Sequence, residues 1–299
     1  MTLETTELHP LFAVRVNGLD IRAGVDERQF EALRDAFEEY SVVVLPGQAL
    51  NDELQMAFSA RFGPLETMLP HAANNANPSH ISRMYNSEPD GRIIDPTDQR
   101  MVYLKANQIW HTDSSFKSIP SLCSLLHARE VPPKGGETEF ASMRAAYAAL
   151  DDATKLMLDG KIALHHAART RDMTAPGLVS DERRARPAVR HSMVRANPVN
   201  GRRALYAGGH AGRIEDMDEA ESAQLLDQLM AHATQARFVY THQWQVGDLV
   251  IWDNRAVLHR GRPWQARRYR RTLHRTTVAG SGPTVGTHDR GGGTSEIRA

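Results

Sequence analysis

Two short segments far apart in the chain constrain its fold more than any other feature. The first is Trp110-His111-Thr112-Asp113. The second runs from Gly247 to Gly261: a turn at Gly247-Asp248, the apolar run Leu249-Val250-Ile251-Trp252, a polar corner Asp253-Asn254-Arg255, and a lone His259. In an extended segment, residues two apart project to one face, so His111 and Asp113 can grip a single ion. His259 follows Asp113 by 146 residues (259 − 113). A third ligand that distant is what a barrel closing on itself supplies. Two histidines and a carboxylate on one face suit iron(II) and leave three positions open. Neither segment suffices alone. With 14 histidines in the chain, roughly one His-x-Asp pair arises by chance, and His259 alone reads equally as a capped or core histidine.

A third feature is the arginine run Arg267-Arg268-Tyr269-Arg270-Arg271-Thr272-Leu273-His274-Arg275. A strand through Arg271, Leu273 and Arg275 aims all three at one face. An arginine fork holds carboxylates bidentately, which a diacid co-substrate requires. In isolation the run reads equally well as a solvated basic strand.

Elsewhere the chain reads as an ordinary globular protein, 41% hydrophobic and 24% charged. Its 36 basic and 36 acidic side chains cancel, which gives no global field favouring nucleic acid or membrane. The one cysteine, Cys123, leaves no internal disulfide and fits a reducing cytoplasm. The acidic start lacks the pattern of a signal peptide, and no apolar run approaches a membrane span. The expected partner is a small organic acid, with no nucleic acid or membrane partner and with a homo-oligomer compatible. Helices are expected over 26–40 (Asp26 capping), 51–62 and 219–234, with helical material over 143–158. Short strands are expected at 41–45, 238–240, 249–252 and 276–278. The stretches 67–100 and 167–203 read as loop and irregular chain that roof a pocket. The Gly-, Ser- and Thr-rich end, 281–299, reads as a disordered tail after one domain over 1–280. The resulting class is mainly β with helical cover.

With these motifs in order, the chain resembles the taurine / 2,4-dichlorophenoxyacetate dioxygenase family of iron(II)/2-oxoglutarate oxygenases, and its aryloxyacetate branch more than its sulfonate branch. The matching segments include Phe62-Gly63-Pro64-Leu65-Glu66, Asn107 to Phe116, Val131 to Phe140, Met143 to Tyr147 and Trp252 to Arg275. Together they cover roughly residues 8–280, and their order and spacing are highly specific as a set.

The resemblance implies a double-stranded β-helix (jelly-roll) with iron at its mouth, and 2-oxoglutarate and O2 as co-substrates. It carries over His111, Asp113 and His259 as metal ligands. Thr138 and Arg271 are implied for the co-substrate carboxylate, and Arg275 for the substrate's acid group. Asn107 matches a position near the substrate, though a turn role is the plainer reading. His210, after Gly208-Gly209, either lines the pocket or sits on a surface turn. His9, His165 and His166 read as structural. In one respect the chain departs from the family. The usual gap of eleven residues after the last histidine ligand lands on Arg270, whereas the Arg-x-x-x-Arg pattern selects Arg271 and Arg275. One extra residue in the intervening loop reconciles the two.

The implied reaction oxidises an aryloxyalkanoate to a phenol and an oxoacid. The same machinery on a sulfonate, an alkyl sulfate or an N-acyl amino acid is the alternative. A zinc hydrolase could also use two histidines and a carboxylate, but hydrolysis needs no diacid clamp at Arg271 and Thr138. A barrel that binds ligand without turnover is the remaining reading.

Overall fold

The structure is a computed structural model that describes residues 3–67 and 79–285. In chain order its strands are β1 (Glu4–Glu7), β2 (Val14–Asn17), β3 (Val42–Leu45), β4 (Ser82–Tyr85), β5 (Ser121–Glu130), β6 (Thr138–Ser142), β7 (Ile162–His165), β8 (Val189–Ser192), β9 (Val194–Ala196), β10 (Arg203–Leu205), β11 (Ala211–Ile214), β12 (Val239–His242), β13 (Leu249–Asp253), β14 (Val257–Gly261) and β15 (Thr272–Ala279). The helices are α1 (Glu27–Tyr40), α2 (Asp52–Ser59), α3 (Gln99–Leu104), α4 (Met143–Ala148), α5 (Asp152–Leu158), α6 (Arg169–Thr174), α7 (Asp181–Arg184) and α8 (Glu219–Ala233). Among the described residues no helix is long and apolar enough to cross a membrane.

The largest sheet has the strand order β1-β2-β3-β13-β5-β15-β4. Facing part of it is a smaller sheet, β12-β6-β14. Side-chain alternation decides what each face buries. Val43 and Leu45 of β3 and Leu249 and Ile251 of β13 turn outward, to a core closed by Phe30, Leu33 and Phe37 of α1 and Phe58 of α2. Val42, Val44, Val250 and Trp252 turn inward, to a second core shared with Leu273, Phe140 and Val257. Both faces are thus buried, which is why β3 and β13 carry unbroken apolar runs. A third core lies on the far side of the small sheet, where Ala141 and Leu258 pack with residues of α4 and α8.

The expected N-terminus of α1 is present as a reciprocal cap. Gln29 N donates to Asp26 Oδ1 at 2.8 Å, and the Gln29 side chain accepts from Asp26 N at 2.9 Å. The stretch 143–158 is two helices rather than one, because Asp151 starts a new one by capping Thr154 N at 2.8 Å.

Two expectations need correction. The stretch 67–100 is not all loop: β4 pairs antiparallel with β15, from Thr272↔Tyr85 to Arg275↔Ser82, and α3 begins at Gln99. The stretch 167–203 holds α6, α7, β8 and β9. These elements are only four to six residues long or shorter and take their stability from neighbours, so no periodicity announces them. Residues 68–78 of the expected pocket roof lie outside the described residues, as do residues 286–299 of the expected tail. Just before that end, Thr284 Oγ1 lies 2.8 Å from His191 Nδ1.

Candidate metal centre and carboxylate pocket

A short antiparallel bridge outside the regular strands joins the two key segments. His111 N donates to His259 O at 3.0 Å and His259 N to His111 O at 2.8 Å. This hydrogen-bonded pairing sets the two imidazoles side by side, with ring centroids 4.2 Å apart. Asp113, two residues on, shares the face of His111. The three candidate ligand atoms lie within 4.8 Å of one another, and all three residues are buried.

Their surroundings prepare them for a cation. Ile109 O lies 2.7 Å from His111 Nδ1, which places the proton there and leaves Nε2 as the ligand atom. Burial keeps both imidazoles neutral by holding His111 below, and His259 well below, the usual histidine range. Burial alone would raise the Asp113 carboxyl, but Arg275 and the two histidines hold it well below the usual carboxylate range. Neutral imidazoles and an ionised carboxylate form the donor set a divalent iron takes.

Asn254, in the corner after β13, organises this face. Its side-chain oxygen accepts from Trp252 Nε1 at 2.9 Å and from Asp113 N at 3.2 Å. Its amide donates to Ser124 Oγ at 3.0 Å, and Ser124 donates onward to Asp113 Oδ2 at 2.7 Å. Neither Asn254 nor Ser124 was singled out from sequence. Asn254 sat inside a recognised motif, whereas Ser124 lies in β5, a strand the sequence reading leaves unassigned.

The candidate carboxylate end lies beside Gly135-Gly136. Arg271 is 9% exposed, and its Nε and Nη2 donate to Gly136 O at 3.1 and 2.9 Å. Its guanidinium lies 5.2 Å from the Trp264 ring centroid. A Cβ at Gly136 would sit 3.0 Å from Arg271 Nε on a φ of +74°, which requires glycine there. Burial pushes the Arg271 guanidinium down to about 10, partly offset by Glu137, so it stays charged at neutral pH. Its hydrogen-bonded carbonyl supplies no counter-charge, and among the described residues no carboxylate pairs with it.

Arg270 instead points outward and pairs with Glu130 at 2.8 Å. Asn86 sets this choice. It accepts from Arg271 N at 2.7 Å and donates to Ala266 O and Tyr269 O at 2.8 and 3.0 Å, fixing the loop one residue longer than the usual spacing. Thr138, at the start of β6, accepts from Trp244 Nε1 at 3.0 Å. Nothing in the sequence drew attention to Asn86 or Trp244.

A cavity of about 190 Å³ opens over the triad, with Asn107, His111, Asp113, His210 and Arg275 in its wall. Its apolar lining includes Met84, Leu104, Ala106 and Phe116. A smaller recess of about 40 Å³ shares Met84, Leu104 and Asn107 with it and reaches Arg271. Arg275 Nη1 donates to Asp113 Oδ1 at 2.7 Å. His210 is buried in the pocket wall rather than on a surface turn, and its ring meets Phe116 edge-on at 5.0 Å. Burial, then the charges of His111 and Arg171 against a backbone bond, push it down to about 3. His9, His165 and His166 line no part of this cavity.

Comparison with known proteins follows the same outline. A family model described as "Taurine catabolism dioxygenase TauD, TfdA family" matches residues 4–277. The chain is 40% identical over 284 residues to an alpha-ketoglutarate-dependent 2,4-dichlorophenoxyacetate dioxygenase of Cupriavidus pinatubonensis, covering 93% of this chain and 98% of the relative. It is 34% identical over 285 residues to an (S)-phenoxypropionate/alpha-ketoglutarate-dioxygenase of Sphingobium herbicidovorans, covering 91% and 93%. Among solved structures it superposes on AAD-2 in complex with Mn(II) and N-oxalylglycine with a TM-score of 0.86 at 38% identity, covering 96% of this chain and all of that one.

Proposed function

The chain belongs to the TauD, TfdA family of dioxygenases and is a 2-oxoglutarate-dependent dioxygenase; from that premise we propose that it hydroxylates an aryloxyalkanoate at the carbon bearing the ether oxygen. The product of such a hydroxylation is a hemiacetal, which falls apart to a phenol and an oxoacid. An aryloxyacetate would give glyoxylate. We infer also that the large and small sheets, facing each other across the inner core, form the walls of a double-stranded β-helix.

The observation that carries the reading is the pairing of two unlike features. One is a buried His–Asp–His cluster open to a cavity. The other is a buried guanidinium, Arg271, with no carboxylate of its own. His111, Asp113 and His259 would hold iron(II). Once bound, that ion supplies the redox chemistry that couples decarboxylation of 2-oxoglutarate to insertion of one atom of O2 into the substrate.

The chain's own groups orient and exclude. Arg271 and the Thr138 hydroxyl hold the far carboxylate of 2-oxoglutarate. Arg275 meets the substrate acid, while Met84, Leu104 and Phe116 keep the aromatic ring out of water. Asn107 and His210 shape the wall between ring and metal.

A panel of acids incubated with iron(II) and 2-oxoglutarate, scored for succinate, tests the reading. Aryloxyalkanoates should release phenol and succinate in equal amounts and outpace sulfonates and alkyl sulfates. Phenol released without succinate would point to hydrolysis and overturn it. Equal turnover of an aryloxyacetate and its methyl ester would remove Arg275 as a reader of the acid.

A further inference from the structure

We propose that Arg171, on the roof helix α6, is a second anchor for the acid group of the substrate, acting across the cavity from Arg275. The inference deepens the reading above and rests on its claim that the cavity takes an organic acid.

The first argument is charge. Arg275 faces the cavity, but its Nη1 is already given to Asp113 Oδ1 at 2.7 Å. Asp113 is a candidate metal ligand, so this pair persists in the working site and one edge of the Arg275 fork is committed. Bidentate recognition of a carboxylate needs two parallel donors. The other acid in the cavity wall, Glu66, accepts from Lys117 Nζ and from Ser114 Oγ, each at 2.7 Å. Both acids of the wall are therefore matched by cations near the floor. The roof adds Arg171, Arg183 and Arg186 and no acid to the same cavity. Arg186 pairs with Glu182 at 2.7 Å, and Arg183 donates to Ala167 O at 3.3 Å. Arg171 is the roof cation whose charge reaches His210, beside the triad.

The second argument is that α6 is seated firmly against the metal-binding segment. Gly209 N donates to Trp110 O at 2.8 Å. A Cβ on Gly209 would lie 2.7 Å from Ile109 Cγ2, 2.9 Å from Thr170 Cγ2 and 3.0 Å from Trp110 O. A Cβ on Gly212 would lie 3.3 Å from Arg169 Cδ. These two glycines admit the first turn of α6 directly onto the segment that carries His111. Thr170 is buried in that contact, and Arg171, the next residue, enters the cavity wall. A guanidinium delivered by so tight a packing is placed well enough to read a planar anion.

The test uses the full chain with iron(II) and 2-oxoglutarate, and the variants Arg171→Gln and Arg171→Lys. For each, the KM of an aryloxyacetate is compared with the inhibition constant of its neutral primary amide. Arg171→Gln should raise the KM of the acid by about ten-fold or more, while the amide and 2-oxoglutarate constants stay within about two-fold. Arg171→Lys should fall between, since it keeps the charge and loses the fork. The effect should persist at high salt, where long-range steering is screened. An equal loss for acid and amide, a loss confined to low salt, or no loss would each overturn the proposal. Failure of the substrate reading would show instead in the wild type, which would then turn over another acid of the panel. The same comparison would be made on that acid and its amide.

Discussion

At Thr138 one hydrogen decides what the residue can offer a carboxylate. An indole N–H can only donate, so the Trp244 bond at 3.0 Å fills an acceptor position on the Thr138 oxygen and leaves its own hydrogen to give. Trp244→Phe frees that hydroxyl to rotate. At about 0.5–1.5 kcal/mol for one hydrogen bond, the KM for 2-oxoglutarate should rise about 2- to 10-fold with little change in kcat. Steady-state kinetics check this, and an unchanged KM would detach Trp244 from the site. A larger effect is expected at Arg271. Arg271→Leu leaves a co-substrate carboxylate unpaired in a buried recess, at about 2–5 kcal/mol, so the KM should rise tens-fold or more. Arg270→Leu removes only the half-exposed pair with Glu130 and should change it little. Swapped phenotypes would show that the extra loop residue lies elsewhere than Asn86 places it.

At the scale of elements, the site depends on how closely three segments approach. The His111 segment pairs with the His259 segment on one side and lies against α6 on the other, through Gly208-Gly209. Gly209→Ala puts a methyl 3.0 Å from a backbone oxygen, and backbone yields less readily than a side-chain tip. Overpacking of this kind costs about 1–3 kcal/mol. The variant should unfold at a lower denaturant midpoint, and its substrate KM should rise more than its KM for 2-oxoglutarate, because α6 roofs only the substrate side. Loss confined to 2-oxoglutarate binding would contradict this arrangement. Strand β15 shows the same division of labour within one element. Arg271, Leu273 and Arg275 face the inner core and the site, while His274 turns outward to Asp52 at 2.6 Å under α2.

Across the whole molecule, two buried polar groups tie distant parts together. Arg255 donates to Asp253 at 2.8 Å and to Glu38 at the end of α1 at 2.7 Å, and Asp253 is fully buried. Arg255→Leu would strand that carboxylate, at about 3–5 kcal/mol, and denaturant unfolding should record the loss without any change in m-value. His191 joins β8 to Thr284 and to Lys117 O, at 2.8 and 3.1 Å. Burial pushes its imidazole from 6.5 down to about 4. Between these two values the unfolded chain binds the proton and the folded chain does not, so stability is full above the upper value and falls as pH drops through the window. The expected loss on going from pH 7 to pH 4.5 is on the order of 1–3 kcal/mol, and His191→Asn should flatten that slope. An unchanged slope would show that His191 is not the group titrating.

What the sequence determined by itself was chemistry carried by short, local patterns. The period-2 spacing of His111 and Asp113, the apolar run of β13, the cap at Asp26 and the Arg-x-x-x-Arg pattern each depend on neighbours in the chain, so each was legible. The order of these patterns also identified the family, and hence the reaction. What tertiary structure decided was everything that depends on contacts across long separations. Residues 111 and 259 meet through a two-bond bridge. Asn86 chooses Arg271 over Arg270 from 185 positions away. Strand β4 exists only because β15 lies beside it, and α6 reaches the site only because glycines clear its path. A polar or small residue takes its meaning from what lies against it, and that partner is set by the closed fold rather than by the adjoining sequence.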